Sequence, residues 1–335
     1  MLRRNHALSD VISRQAAVNK YSPHNRQWLA VLSALLLFVL APALAHADEP
    51  LFGYTYTTDT LPQGKYEIEQ WSTSRFTKGH GNFWQQENRT EFSYGWNSRL
   101  QLSLYQDYDS TAAFHNGPFG ATTPGEPFSY DSPDANAHYS NTAYIATDVE
   151  AIYRILSPYE HFMGLAVYTE ERAGRDFFET ENKLLFQKNY RQDRLVLAAN
   201  FTYAPELRND RPGPLTLNES DVNASYGVSY RFIPNWSAAF ELRNEREFGS
   251  WTFWNHEIND AYYLGPSLHY AGKHFFATTT FLEQMPWATT HEDTVPGAIV
   301  NGRDYDNDFE KYRVRVKVGW YFSRGPKSWF HRGRR

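Results

Sequence analysis

The sequence predicts an all-β fold, a closed antiparallel transmembrane β-barrel of about twelve strands. Three observations carry this prediction. Alternation of polar and apolar residues at the strand period recurs along the chain, and tight turns alternate with long loops. The chain also holds 10 Trp, 23 Tyr and 23 Phe, and amphipathic aromatic rings are typical of membrane interfaces.

The N-terminus has the features of an export signal. Basic residues precede the apolar run WLAVLSALLLFVL at 28–40, and the small-x-small pattern AHA follows at 45–47. We therefore expect residues 1–47 to be a signal peptide that is removed, so that the mature chain begins at Asp48. The apolar run is short for a helical membrane span, and an uncleaved anchor is the alternative.

Composition excludes several classes of function. The chain contains no cysteine, which rules out a thiol nucleophile, a thiolate metal site and a lipid anchor on cysteine. The part after residue 47 is net acidic, which argues against a nucleic-acid partner. Neither G-x-S-x-G nor H-E-x-x-H occurs, so we expect no enzyme, no metal site and no cofactor. A lipid hydrolase at the barrel rim is the weaker alternative.

The alternating segments define the strands. A clear case is DVNASYGVSYRF at 221–232, where Val, Ala, Tyr and Phe occupy one face and polar residues the other. The same criterion predicts strands at 64–76, 83–95, 99–108, 146–156, 162–171, 177–188, 194–205, 220–232, 236–246, 261–271, 274–285 and 310–322. Two places fit less well. Pro266 lies inside a strand and is expected to form a bulge, and FFATTTFL at 275–282 leaves its facing open.

The connections support the barrel. Tight turns are predicted near 95–98, 157–161, 189–193, 233–235 and 271–273, and longer Gly/Pro/Asn/Asp-rich connections alternate with them. Short turns on one rim and long loops on the other are how outer-membrane barrels are built. An even strand count then places both termini on the periplasmic, short-turn rim.

Two of the longer connections contain candidate functional residues. The longest, 109–145, either folds into the pore or forms a surface loop, and Phe114, His115, Phe119 and His138 are the candidates to narrow the pore. In the last loop, Asp304, Asp306 and Asp308 stand at alternate positions, as in a calcium-binding loop. Phe309 stands where such a loop needs Gly, which favours a solvated acidic loop.

The last predicted strand, KYRVRVKVGWYF at 311–322, explains the pattern of charges. Its valines face lipid, and Arg313, Arg315 and Lys317 face the lumen. Closure sets it beside KYEIEQW, where acids on the same face would neutralise these cations across the seam. The positions predicted to line the lumen and to set its selectivity are Glu67, Glu69, Glu87, Arg89, Glu91, Glu150, Arg154, Glu241, Arg243, Arg313, Arg315 and Lys317. Further inward bases are predicted at Arg99, Arg194 and Arg231.

Four segments resemble an uncharacterised family of proteobacterial exported proteins regarded as outer-membrane β-barrels. They are LPQGKYEIEQW, EAIYRILSPY, DRLVLAANF and SYRFIPNWSAAFELRNEREFG. The resemblance covers roughly 50–322 and implies a barrel (48–322) in the outer membrane, but no chemistry. The basic tail at 323–335 departs from barrels that end at an aromatic residue. Such a tail is either tolerated or contacts anionic lipid.

These observations predict a narrow porin-like channel for passive passage of small polar or charged solutes through a mixed-charge lumen. The alternative is a closed structural or adhesion barrel that acts through its long extracellular loops. The expected partners are outer-membrane lipids and lipopolysaccharide, the barrel assembly machinery and the permeating solutes.

Overall fold

The structure is a computed structural model. It describes residues 50–117, 120–125, 134–208, 216–252, 257–289, 299–300, 303–306 and 308–323. The expected signal peptide and all of the basic tail beyond Ser323 lie outside these ranges. Within the described residues, no helix is both long and apolar enough to cross a membrane.

Twelve long strands close into one antiparallel barrel, and two short strands form a separate hairpin. The strands are β1 Lys65–Phe76, β2 Asn82–Gly95, β3 Leu100–Phe114, β4 Tyr139–Leu156, β5 Gly164–Gly174, β6 Phe177–Tyr190, β7 Leu195–Arg208, β8 Thr216–Ile233, β9 Trp236–Phe248, β10 Glu257–Ala271, β11 Phe275–Met285, β12 Ile299–Val300, β13 Arg303–Asp304 and β14 Tyr312–Ser323. Within the barrel, each strand pairs with the barrel strands before and after it in sequence. Strand β14 pairs with β11 on one side and with β1 on the other, which closes the barrel.

The predicted fold class is confirmed, and each of the twelve predicted strands corresponds to one barrel strand. The largest difference is at the longest connection. Strand β3 continues to Phe114 and β4 begins at Tyr139, so the connection runs from 115 to 138 rather than from 109 to 145. The two strands extend because their added residues still pair with one another, from Asp109–Ala143 to Ala113–Tyr139.

Alternation along the strands separates an apolar outer face from a polar lumen. On β14, Val316 and Trp320 are exposed while Arg313 and Lys317 are buried. Other large apolar side chains exposed on the outer face are Ile68, Leu104, Val149, Tyr153, Val167, Leu184, Leu197, Phe201, Tyr226, Val228, Phe240 and Phe281. A closed sheet leaves no unpaired backbone edge, and such a face is stable only against hydrocarbon. The protein is an outer-membrane β-barrel.

Strand β11 contains the segment whose facing the sequence left open. Phe276, Thr278 and Thr280 are buried, whereas Phe275 and Phe281 are exposed. Its lumen face is therefore built from apolar, hydroxyl and, at Gln284, amide side chains rather than charges.

The bulge expected at Pro266 is wrong. Pro266 lies directly opposite Phe240 on β9, and the register with β9 does not shift there. On the β11 side the register is the same before and after it, at Leu264–Glu283 and Ser267–Thr280. Because proline has no N–H, the ladder lacks one hydrogen bond at this position, but no extra residue is inserted and no bulge forms.

The two rims differ as outer-membrane barrels require. The connections on the rim that carries the termini are 96–99, 157–163, 191–194, 234–235 and 272–274. The opposite rim carries the longest connections, 115–138 and 286–311, and also one tight turn at 175–176 that breaks the predicted alternation of short and long. We call the first the terminal rim and the second the loop rim.

Candidate functional site: the charged lumen

A segment before β1 lies inside the barrel. Residues 50–61, which we call the lumenal segment, are buried or half-buried along their whole length. They follow the inner wall from β11 past β9, β7 and β6 to β3. Inward side chains of these strands bind the segment's backbone, so it is attached to the wall without being a strand of the sheet.

Glu241 on β9 makes the central attachment. Its carboxylate accepts the backbone N–H groups of Gly53 at 2.8 Å, Tyr54 at 3.0 Å and Thr55 at 2.9 Å. Hydrogen bonds to a charged acceptor are stronger than those between neutral groups. The hydroxyl of Ser267 on β10 also donates to this carboxylate, at 2.7 Å. Glu241 is therefore a structural anchor and not a free lumen charge.

Amide side chains hold the rest of the segment. Asn200 on β7 accepts from Tyr56 N–H at 2.6 Å and donates to Tyr56 C=O at 2.9 Å, as a strand neighbour would. Gln187 on β6 accepts from Thr58 N–H at 2.7 Å, and Gln101 on β3 accepts from Leu61 N–H at 2.8 Å. Buried backbone donors that would otherwise be costly are thus satisfied by the wall.

Small residues on the wall make room for the segment. Phe52 packs against Ala198 and Ala239. It also lies so close to Gly227 on β8 that a Cβ there would lie 2.5 Å from its ring. At the other end, a Cβ on Gly164 of β5 would lie 2.4 Å from the Thr58 hydroxyl oxygen. Wall and segment are complementary in shape as well as in hydrogen bonding.

On the loop-rim side of the lumenal segment, the lumen opens into a cavity of about 390 Å³, which we call the vestibule. Tyr54 and Tyr56 of the segment form part of its lining. Its charged lining residues are Arg75, Glu87, Arg89, Asp107, Asp109, Glu170, Arg172, Glu179, Glu181, Lys183, Glu206, Arg208, Glu219, Asp221, Arg243, Glu245, Arg246, Glu247, Arg313 and Arg315. Both signs of charge therefore face one water-accessible space.

Arg89 on β2 is held by carboxylates from three strands. Its guanidinium contacts Asp107 of β3 at 3.0 Å, Glu170 of β5 at 2.8 Å and Asp148 of β4. Arg172 joins the same network through Asp107 at 3.1 Å. A cation with this many partners cannot be removed without leaving buried carboxylates unpaired.

Arg313 on β14 is the most enclosed cation of the predicted set, with 2% of its side chain exposed. It contacts Glu245 of β9 at 2.6 Å and also Glu310, and its guanidinium lies 3.9 Å from the centre of the Tyr263 ring. Arg243 shares Glu245, at 2.7 Å. This network joins β9, β10 and β14 across the lumen.

Arg315 and Lys317 are held differently. Arg315 donates to Thr73 Oγ1 at 2.8 Å and to the Gly53 carbonyl at 3.3 Å, and its nearest carboxylate, Glu87, is 3.9 Å away. Its guanidinium stacks 3.8 Å above the Tyr54 ring. Lys317 lies 3.5 Å above the Trp71 ring. Of the three cations of β14, Arg313 has close carboxylate partners, whereas the only carboxylate within 4 Å of Arg315 among the described residues is Glu87, at 3.9 Å.

The seam differs from the expected pairing of acids with bases. Glu67 lies opposite Tyr321, Glu69 lies opposite Gly319, and Arg75 lies opposite Arg313. The antiparallel register places the acids nearer the terminal rim and the arginines nearer the loop rim. Glu310 contacts both of these arginines, and Glu87 contacts Arg75.

Glu67 and Glu69, which do not lie opposite cations at the seam, line a second, smaller cavity of about 50 Å³ between the lumenal segment and the wall. Its lining includes Glu67, Glu69, Glu91, Glu150 and Lys317. Glu91 accepts from the Ser93 hydroxyl at 2.5 Å, and Glu150 accepts from Ser103 at 3.1 Å. This cavity lies on the far side of Tyr56 and Trp71 from most of the vestibule.

The remaining predicted bases lie at the terminal rim. Arg154 donates to the Ser98 carbonyl at 2.6 Å and lies 3.8 Å from Asp59 of the lumenal segment. Arg99 and Arg194 are exposed in the connections. Arg231 donates to the Gln192 carbonyl at 3.4 Å. The alternation placed these three on the inward side, but they lie at strand ends, beyond the lumen.

Two loop predictions have specific outcomes. Phe114 and His138 stack face to face at 3.8 Å, and Phe114 falls on the outward parity of β3, so this pair does not narrow the lumen. Phe119 lies outside the described residues.

The carboxylate of Asp306 accepts from the Asp260 and Asp308 backbone N–H groups, both at 3.0 Å, and so fixes the loop instead of facing solvent.

Residues 44–322 match a family of unknown function (DUF6662). The chain belongs to this family. No curated protein matches it. Among solved structures, the DUF6662 chain resembles the COG4313 outer membrane channel from Pseudomonas putida F1, at 12% identity and a TM-score of 0.54, over 79% of this chain and 98% of that one. This likeness shows the fold.

Two porins are more distant. NanC porin matches the DUF6662 chain at 12% identity and a TM-score of 0.46, over 76% of this chain and 98% of that one. KdgM porin matches at 12% identity and a TM-score of 0.43, over 76% of this chain and 99% of that one.

The feature of this DUF6662 barrel that sequence reasoning missed is the lumenal segment. Its stretch LFGYTYTTDTL at 51–61 alternates weakly and was not assigned to any element. The side chains that bind its backbone come from six different strands, and no local sequence pattern marks them. One signal was present: Gly227, which has no side chain, stands between Ser225 and Ser229 on the inward face of an otherwise regular strand.

Proposed function

We propose that the protein is an outer-membrane channel for passive passage of small polar or charged solutes. The observation that carries this proposal is the vestibule, a cavity of about 390 Å³ lined by charged side chains inside a closed barrel. Fixed charges of both signs around a narrow aqueous space select solutes by charge and size. Arg75, Arg243 and Arg315 are the cations we assign to this selection.

In this proposal the lumenal segment controls passage. It separates the vestibule from the smaller cavity, and its Tyr56, together with Trp71 of β1, lines both. Solute crosses when the segment shifts or leaves the lumen. The same segment also favours the second candidate, a closed barrel that acts through its long loops, and a conductance measurement separates the two.

We further propose how the barrel sits in the membrane. Cleavage after residue 47 would leave the lumenal segment close to the mature N-terminus, and the terminal rim would face the periplasm. The barrel assembly machinery would insert the protein, and the outer face would contact lipid and lipopolysaccharide. The basic tail would contact anionic lipid headgroups. We propose solute passage and not catalysis.

The test is single-channel conductance of purified residues 48–335 in a planar bilayer with a salt gradient. Steady openings support the channel, and the reversal potential gives the preferred sign of ion. A correctly folded barrel that remains silent, both intact and without residues 48–60, overturns the channel and leaves the closed barrel.

A further inference from the structure

The charges of the vestibule are not mixed evenly, because two opposite walls carry opposite net charge. In a closed barrel of twelve strands, β14, β1 and β2 lie across from β6, β7 and β8. The first wall contributes Arg75, Arg89, Arg313 and Arg315 against Glu87. The second contributes Glu179, Glu181, Glu206, Glu219 and Asp221 against Lys183 and Arg208. We call these the basic wall and the acidic wall.

On the basic wall, two arginines have capacity for a further anion. Arg315 has Thr73 Oγ1 and the Gly53 carbonyl within 3.5 Å, and Glu87 at 3.9 Å. Arg75 contacts Glu87 at 2.6 Å and lies 3.8 Å from Glu310, and 26% of its side chain remains exposed to the vestibule. A planar guanidinium binds a carboxylate through paired N–H groups, so these two side chains can receive one.

The acidic wall places like charges directly opposite one another. Glu206 on β7 lies across from both Glu179 of β6 and Glu219 of β8. Asp221 lies across from Glu247 of β9. Such pairs are destabilising unless a cation lies between them.

Two cations on this wall relieve part of that repulsion, and Lys183 contacts Glu181 at 2.5 Å. Arg208 contacts Glu206 at 2.9 Å and Glu219 at 3.4 Å. Within the part of the chain that the structure describes, neither the Glu179 nor the Asp221 side chain has an ion pair within 4 Å or a hydrogen bond, although Arg172 of β5 attracts Glu179 from a greater distance. These two carboxylates are therefore available to a cationic group of a solute.

We propose that the vestibule binds short zwitterionic peptides, with the C-terminal carboxylate on Arg315 and Arg75 and the N-terminal ammonium on Glu179 and Asp221. This inference rests on the proposed function, since it names the class of solute. Opposite charges on opposite walls favour a solute whose own charges are separated. An extended tripeptide spans roughly 10 Å, which separates its termini by much more than those of a single amino acid. The cavity volume is in the range of small-molecule sites.

The test measures binding of triglycine to the purified full-length mature barrel by calorimetry, beside N-acetyl-triglycine, triglycine amide and the doubly blocked peptide. We expect triglycine to bind at least about tenfold more tightly than either singly blocked peptide, because each loses one charge-assisted contact. Arg315→Gln should weaken triglycine binding by a similar factor without affecting the doubly blocked peptide. Glu179→Gln/Asp221→Asn should do the same, and Glu160→Gln, in a terminal-rim turn, is the matched control.

Equal binding of the free and the doubly blocked peptide would overturn the inference, as would unchanged affinity in both wall variants. Its failure is distinguishable from failure of the channel. A barrel that conducts ions but binds no triglycine contradicts only the peptide site. A barrel that binds triglycine through both walls but never conducts supports the site and contradicts passage.

Discussion

The carboxylate of Glu241 accepts a hydrogen bond from the backbone N–H of Gly53 at 2.8 Å, across 188 positions of sequence. The two adjacent N–H groups bind the same carboxylate. One side chain on the wall thus supports the start of the segment that divides the lumen, and this contact gives the most direct way to test what the segment does.

Replacing Glu241 with Ala should loosen the lumenal segment. Three buried N–H groups would lose their acceptor, so we expect the free energy of unfolding to fall by about 3–5 kcal/mol. Hydrogen exchange of a peptide covering 50–61 should accelerate, and single-channel current should increase. Glu241→Gln keeps an acceptor oxygen and should show a smaller effect. Unchanged exchange in 50–61 would contradict the anchoring role.

A reversible disulfide can fix the segment in place. The chain contains no cysteine, and Gly164 lies within disulfide reach of Thr58. We expect Thr58→Cys/Gly164→Cys to conduct less when oxidised and to recover on reduction, while Thr58→Cys alone should not respond. Equal current in both redox states would show that the segment does not control passage.

The two arginines of β14 should behave differently. Arg313→Ala leaves Glu245 and Glu310 without their shared cation, so we expect a loss of about 3–5 kcal/mol in the free energy of unfolding. Arg315→Gln removes a cation whose nearest carboxylate is 3.9 Å away, and we expect it to lower the free energy of unfolding by less than Arg313→Ala does. It should instead shift the reversal potential toward cations. Identical reversal potentials for Arg315→Gln and the unaltered protein would place selectivity elsewhere.

A charge on the outer face should be costly in the middle of a strand. Val316 is exposed between Ser72 of β1 and Thr279 of β11. We expect Val316→Arg to reduce the free energy of unfolding from bilayers by about 2–4 kcal/mol, because the cation would face hydrocarbon. Val316→Leu should be close to neutral. A neutral Arg variant would mean that this position is not in contact with lipid.

The loop before β14 should lose stability as pH rises. Burial, followed by the nearby Asp308, raises the pKa of Asp306 to about 8. A carboxyl whose folded pKa lies above its unfolded value favours folding most below about pH 4, and that contribution is lost as pH approaches 8. Hydrogen exchange in 303–310 should therefore be faster at pH 9 than at pH 5 after correction for intrinsic rates. Asp306→Asn should remove the difference, and a difference of the same size in that variant would assign it to another group.

Strand number, strand facing and closure followed from sequence because a barrel strand repeats every two residues, as Val314, Val316 and Val318 show. The pairing across the seam did not follow, since alternation gives facing and not register. Glu69 therefore lies opposite Gly319 and not opposite a cation as expected. The anchoring role of Glu241 could also not be predicted from the sequence. A carboxylate that binds backbone N–H groups from a segment 188 positions away has the same local pattern as one that faces water.

The enclosure of residues 50–61 has a consequence for biogenesis. The segment lies inside a ring that closes between β1 and β14, so it takes its place either during that closure or by entering the closed ring afterwards. Its wall contacts join residues far apart in sequence, and contacts of that kind form late and slowly. Placement of the segment is therefore expected to be a slow step of folding, whether it accompanies closure or follows it. A barrel that closes without the segment in its lumen would be a kinetically trapped state. Its lumen would be wider, and at least four side-chain acceptors on its inner wall, on Glu241, Asn200, Gln187 and Gln101, would lack the N–H groups that they bind in the folded protein.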